Sequence, residues 1–79
     1  MITGMQIRAG RAILRLSANE LAEIARVGRT TILRAEAIDG TPSTTAANLH
    51  AIRQALEDKG IIFGSDGSVN YRPPNDKHD

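Results

Sequence analysis

The twenty residues SANELAEIARVGRTTILRAE, Ser17 to Glu36, decide the fold of this chain. Ser17-Ala18-Asn19-Glu20 has the form of a capping box, in which a serine hydroxyl and a glutamate carboxylate close the first turn of a helix reciprocally. A helix is therefore expected from Ala18, with Leu21, Ala22 and Ala25 on its inner face. Val27 and Gly28 interrupt the period. From Arg29 to Ala37 it resumes, with Ile32 and Ala35 inward and Arg29, Thr30, Leu33 and Arg34 outward. The stretch thus reads as two short helices joined by a tight turn. Ala22 and Ala25 are small enough for the two axes to cross closely, and Val27, Ile32 and Ala35 can seal the second helix against the first.

Working outward, Thr3-Gly4-Met5-Gln6 is another capping box, and a helix from about Gly4 to Arg15 follows. Ile7, Gly10 and Leu14 share one face of it, and Gly10 leaves room for a neighbouring helix. On the other side, Asp39-Gly40-Thr41-Pro42-Ser43 reads as a loop. Ser43 or Thr44 is expected to cap a helix running to about Lys59, with Leu49, Ile52 and Leu56 as its apolar stripe and Gly60 as the residue past its end. Ile61-Ile62-Phe63 and Ser68-Val69-Asn70-Tyr71-Arg72 are β-prone runs around Gly64-Ser65-Asp66-Gly67, and Asp-Gly favours a hairpin turn there. Pro73 to Asp79 reads as a disordered polar tail. The expected organisation is a helical domain over residues 1–60, a β segment over 61–72 and a tail over 73–79. The fold class is mainly α, four to five helices with a short C-terminal β-strand or hairpin.

Composition narrows what such a domain can be. At 79 residues the chain sits near the lower limit for building its own core. Hydrophobic residues make up 41% and aromatics only 3%, so the core must be aliphatic and alanine-rich. A core of that size seldom supplies more than about 3–5 kcal/mol, which makes association with a second copy an expectation. With no cysteine there is no disulfide framework and no thiolate metal site. The lack of a membrane-length apolar run or a signal-like N-terminus points to a cytoplasmic protein.

The net charge of +1 conceals an asymmetry. Residues 1–36 carry six arginines (Arg8, Arg11, Arg15, Arg26, Arg29, Arg34) against Glu20, Glu23 and Glu36, a balance of +3; residues 37–79 carry four cations against six acids, a balance of −2. A basic half on an almost neutral chain suits a polyanion-facing surface, although solvated arginine gives the same count.

Together these residues resemble the phage-repressor (Cro/XRE) helix-turn-helix proteins. The likeness rests on Arg11 in the first helix, Leu21-Ala22 in the second, and Val27, Thr31-Ile32 and Glu36 around the third. It extends over about Thr3 to Leu56. The resemblance implies that the Arg29–Glu36 helix enters the DNA major groove. It implies base reading by Arg29, Thr30, Leu33 and Arg34, with Arg29 on guanine O6 and N7, a contact worth about 1–3 kcal/mol of discrimination. Phosphate contacts would fall to Ser17, Asn19, Arg26 and Thr31, with the N-terminus of the second helix receiving one phosphate on its free N–H groups. Arg8, Arg15 and Arg26 otherwise read as solvated or phosphate-touching. Arg11 and Glu36 would form a buried or half-buried ion pair clamping the first helix to the third. Three positions depart from the family: Ala18 replaces a glutamine, Arg26 the usual turn glycine, and Gly28 the usual serine or threonine cap.

The expected function is accordingly a sequence-specific transcriptional regulator of double-stranded DNA, a homodimer on an inverted-repeat operator. With no room for a separate effector domain, concentration and dimerisation would control it, as in small autoregulatory mobile-element regulators. Repression is the default, and activation through a contact with RNA polymerase stays open. Ile61, Ile62, Phe63, Val69 and Tyr71 are the candidate dimerisation residues, because an exposed β-run needs pairing and repressor dimers bind half-sites one turn apart. An intramolecular hairpin over the core is the other reading of that run, and both can hold. The rival function is a protein-binding adaptor, anti-activator- or antitoxin-like, with a degenerate helix-turn-helix; the three departures motivate it. Catalysis, metals and cofactors find no support: His50 and His78 have no catalytic or ligating companions in the sequence, and no P-loop, zinc spacing or carboxylate pair is present.

Overall fold

Thr3 and Gln6 start the first helix as a complete capping box: the Thr3 hydroxyl accepts the Gln6 N–H at 3.1 Å, and the Gln6 side chain accepts the Thr3 N–H at 2.9 Å. The computed structural model describes residues 1–74. It contains α1 (Gly4–Leu14), α2 (Ala18–Ala25), α3 (Arg29–Glu36), α4 (Ala46–Asp58), β1 (Ile61–Phe63) and β2 (Val69–Tyr71). The architecture is mainly helical, with the two strands forming an antiparallel C-terminal hairpin. The expected tail lies outside the described residues from Asn75 onward, and His78 with it.

The core is aliphatic. Ile7 of α1, Leu21 of α2, Ile32 of α3, Ile52 and Leu56 of α4 and Ile61 of β1 are fully buried, so every element except β2 contributes a branched side chain. Alanines 22, 25, 35 and 55 fill the narrower gaps between them. Phe63 and Val69 cover this cluster from the sheet side.

Two helix ends are unusual. Arg15 after α1 and Arg26 after α2 take left-handed backbone, at φ 58° and 60°, the only non-glycine residues among those described with positive φ. An L-residue there costs about 1–2 kcal/mol, which glycine avoids. Each still closes its helix through its backbone N–H, Arg15 onto the Ala12 carbonyl and Arg26 onto those of Ala22 and Glu23. The departure at Arg26 therefore leaves the turn intact.

The α3 end is tight. A Cβ on Gly4 would lie 1.8 Å from the Ile38 carbonyl oxygen and 2.4 Å from that of Ala35. The Gly4 N–H donates instead to the Gly40 carbonyl at 2.8 Å. Gly4, read only as part of a cap, is thus the point where α1 docks on the end of α3. Gly10 is less demanding: its added Cβ would meet Ile61 at 3.4 Å and Leu56 at 3.5 Å, ordinary packing distances.

The cap of α4 differs from expectation. The Thr45 hydroxyl, not that of Ser43 or Thr44, accepts the Asn48 N–H, at 3.0 Å. Pro42 is buried, and Ser43 and Thr44 lie between it and the cap. At the other end Gly60, at φ 106°, occupies the expected position past the helix.

In the hairpin Ile61 pairs with Tyr71, Ile62 with Asn70 and Phe63 with Val69. The Gly67 N–H donates to the Gly64 carbonyl at 3.1 Å, and Gly67 itself is left-handed at φ 90°. Asp66 accepts the Ser68 N–H at 3.0 Å, so the Asp-Gly pair shapes the five-residue connection Gly64–Ser68 between the strands. The buried Gln6 carboxamide donates to the carbonyls of Gly64 and Ser68 at 2.9 and 3.1 Å, fastening the loop to the start of α1.

The expected dimerisation set is divided by this arrangement. Ile61 belongs to the protomer's own core at 2% exposure, and Phe63 and Val69 pack against it. That placement matches the second reading of the run, an intramolecular hairpin over the helical core, and takes Ile61, Phe63 and Val69 out of the candidate dimerisation surface. Ile62 and Tyr71, 45% and 47% exposed, remain available to a partner.

Candidate nucleic-acid interface

The α2–turn–α3 unit is assembled from its inner side. Leu21, Ala22, Ala25, Ile32 and Ala35 are buried, and Val27 in the turn packs against them. Gly28 stands at the N-cap of α3 without a side-chain hydrogen bond, so its helix starts uncapped there. What fixes α3 is its far end. Arg11 Nε and Nη2 donate to the two Glu36 carboxylate oxygens at 2.7 and 2.8 Å, a bidentate pair, and Arg11 Nη1 donates to the Leu16 carbonyl at 3.0 Å. The Glu36 side chain is 7% exposed and that of Arg11 26%. Hydrogen bonding to Glu36 holds the Arg11 guanidinium above its ordinary pKa, outweighing the opposing effect of burial. Arg11 and Glu36 thus join α1 to α3 as the resemblance implied.

Arg8 was read as solvated or phosphate-touching, and the structure gives it a different place. Its guanidinium donates to the Glu36 carbonyl and pairs with Asp39. It meets a carbonyl that the end of the helix leaves unpaired. Arg8 and Arg11 are therefore structural, both committed to the same end of α3.

The outward face is different in kind. Arg29, Thr30, Leu33 and Arg34 are all exposed, on one side of an eight-residue helix. Among the described residues, none of Arg15, Arg26, Arg29 and Arg34 has an ion-pair or side-chain hydrogen-bond partner; the ion pairs take Arg8, Arg11 and Arg53. The four free guanidiniums lie on, or border, the α2–α3 unit. Elsewhere in the sequence's basic half the arginines are neutralised, so the cationic surface narrows to this unit.

Beside it lies a region that the sequence reading missed. Thr31 and Arg34 of α3 face Ser43, Thr44, Thr45 and Asn48 across an open depression of about 470 Å³. Its lining is hydroxyl, amide and guanidinium, a chemistry suited to oxyanions. The run of three hydroxyl residues after Pro42 was the available signal, but it reads equally as a helix cap. Thr31, half-buried, sits at the edge of this depression rather than on the outward face.

The proposed phosphate seat at the start of α2 is narrowed. The Ser17 hydroxyl accepts the Glu20 N–H at 3.0 Å, and the Glu20 carboxylate accepts the Ser17 N–H at 2.8 Å. The Ser17 N–H is engaged while its hydroxyl, accepting only, keeps its own proton to donate, and a carboxylate stands in the first turn. Asn19 stays exposed. Ala18 is half-buried against the core.

Among the described residues no group of His, Cys, Asp and Glu could hold a metal ion, and no helix is long and apolar enough to cross a membrane. No protein-family model matches the chain, and no curated protein matches it either.

Proposed function

We propose that this chain is a sequence-specific double-stranded-DNA-binding regulator, with α2 and α3 acting as a helix-turn-helix and α3 as the helix that enters the major groove. One observation carries the reading. The arginines divide into those consumed by the fold, Arg8 and Arg11, and those left without a partner around α3. A protein surface that keeps several guanidiniums unpaired on one short helix-pair suits a polyanion. Arg29 and Thr30, in the first turn of α3, are the leading base readers, with Leu33 positioned for a thymine methyl and Arg34 for a phosphate or base. The depression lined by Arg34, Ser43, Thr44, Thr45 and Asn48 would receive backbone phosphate next to the groove.

Regulation follows from the duplex contact. Two copies on an inverted repeat, joined through surfaces that include Ile62 and Tyr71, would block or recruit polymerase from a site near the protein's own gene. Selection of bound sequences from a random duplex library tests the reading. The expected result is a two-fold symmetric consensus, bound far more tightly than random duplex and weakened steeply by salt. Recovery of no consensus, with affinity no better than for random DNA, would overturn it in favour of the protein-binding adaptor. Arg29→Ala then probes the reading residue: preference should relax at one base position in each half-site, and an unchanged consensus would move that role to another side chain.

A further inference from the structure

The chain contains two Asp-Gly steps, Asp39-Gly40 after α3 and Asp66-Gly67 in the hairpin loop. Among aspartyl steps Asp-Gly is the most prone to rearrange its own backbone, because glycine has no Cβ to keep its amide nitrogen from the preceding carboxyl. The nitrogen attacks Cγ of the neutral carboxylic acid and a C–N bond forms. The acid's hydroxyl leaves with the amide proton as water, and a five-membered succinimide closes. Water then opens the ring at either carbonyl. Opening at the main-chain carbonyl leaves the peptide running through Cβ and Cγ, an isoaspartate. The nitrogen must be free of other hydrogen bonds and the carboxyl free to swing onto it, so the fold decides which step reacts.

The two steps differ on both counts. In the hairpin loop the Gly67 N–H donates to the Gly64 carbonyl at 3.1 Å, and an Asp66 carboxylate oxygen accepts the Ser68 N–H at 3.0 Å. Gln6 in turn grips the carbonyls of Gly64 and Ser68. The Ser68 hydrogen bonds also favour the ionised Asp66 carboxyl over the reactive neutral one. After α3 the Gly40 N–H meets no acceptor among the described residues, and nothing lies within 4 Å of where a Gly40 Cβ would stand. The Asp39 side chain is 75% exposed, and its partner is the Arg8 guanidinium. An exposed ion pair holds its members only weakly. We infer that Asp39-Gly40 is the site at which the folded protein forms isoaspartate, and that the loop shields Asp66-Gly67. The carbonyls of Gly40 and Asp39 accept the N–H groups of Gly4 and Met5 at 2.8 and 3.4 Å, where α1 docks on the end of α3. Those bonds engage the carbonyls and leave the Gly40 nitrogen free. An extra backbone carbon at residue 39 therefore loosens the joint that orients α3. Neither step depends on what α3 binds.

The test incubates the native protein at neutral pH and physiological temperature, labels isoaspartate by enzymatic methylation, and locates the label by digestion and mass spectrometry. Synthetic peptides spanning each Asp-Gly step supply the rates without a fold. Label should accumulate at residue 39 close to its peptide's rate. At residue 66 it should form about tenfold or more slower than in the peptide, because two hydrogen bonds must open first. Asp39→Glu should remove most of the label, since glutamate would have to close a six-membered ring, while Asp66→Glu should leave it unchanged. Gln6→Ala should speed labelling at residue 66 and not at residue 39. In the labelled fraction the Gly4 and Met5 amides should exchange with solvent faster than in fresh protein. Equal suppression of both steps relative to their peptides, or faster labelling at residue 66 than at residue 39, would overturn the assignment. Unchanged Gly4 and Met5 exchange in labelled protein would overturn the effect on the α1–α3 joint.

Discussion

The two ends of α3 contain the same chemistry put to opposite uses. At its C-terminal end, arginines from α1 are locked: Arg11 grips Glu36 through two hydrogen bonds and Arg8 reaches a main-chain carbonyl and Asp39. At its N-terminal end Arg29 is free, as is Arg26 in the preceding turn. The difference is set by geometry rather than by residue type. Where backbone crowds backbone, as at Gly4, a guanidinium finds carbonyls and carboxylates within reach. Where the helix starts at a glycine with no side-chain cap, no acidic side chain among the described residues pairs with Arg29 or Arg26. The rigid end orients the helix, and the open end is left to meet something else.

Breaking the rigid end should produce the largest effect. Arg11→Met keeps most of the aliphatic stem but strands a buried carboxylate, and should cost about 3 kcal/mol, most of the stability of a domain this size. Urea unfolding measures it, and a loss under 1 kcal/mol would mean that Glu36 finds another partner. Gly4→Ala comes next, at about 1–3 kcal/mol, because backbone rather than a flexible side chain must move. Gly10→Ala is its control on the same helix. There the methyl meets only side chains at packing distance, so the helical preference for alanine should make it neutral or stabilising by up to about 1 kcal/mol. If the two glycines behave alike, the docking of α1 on α3 is not the constraint described.

At the open end the readout changes from stability to binding. Arg29→Ala should leave unfolding within about 0.5 kcal/mol of the parent. Its binding to the selected operator should weaken by about 1–3 kcal/mol. A large stability loss at Arg29 would erase the contrast between the two ends.

How much of this was legible in the sequence depends on how local each cause is. The two capping boxes, the inner faces of all four helices and the position of Gly60 were readable because the residues that determine them lie within a few places of one another. The Arg11–Glu36 pair came from resemblance, not from spacing. Gly4, Gln6 and Arg8 were misread or read in part, since their decisive partners lie about 30 to 60 residues away in sequence. The depression beside α3 was missed for a related reason: it joins Thr31 and Arg34 to Ser43, Thr44, Thr45 and Asn48, about ten residues further along the chain. The sequence left two readings of Ile61 to Phe63 open because three apolar residues in a row do not reveal which one faces inward; burial of Ile61 in the core decides it.

The smallest expected effect lies in the hairpin loop, away from both ends of α3. Hydrogen bonds from Ser68 hold the exposed Asp66 carboxyl below its ordinary pKa. A depressed folded-state value means that the contribution is complete above the usual carboxylate range and fades as pH falls through the lowered value. The Ser68 amide resonance should therefore shift in acid, while that of the Arg29 helix stays put over the same interval. A loop titration that moved α3 as well would link regions that the packing keeps apart.

The Gln6 carboxamide has a consequence for how the chain folds. One side chain closes the first turn of α1 and, through contacts 58 and 62 residues away, the hairpin loop. The start and finish of the domain thus share a single fastening, and neither can fray alone without exposing the other's unpaired groups. Amide protons in the first turn of α1 and in β1 should then exchange with solvent at a common rate, set by one cooperative opening. Gln6→Ala should separate them into two rates, the hairpin becoming the faster. A domain with so little core gains its unity from where it is tied as much as from what it buries.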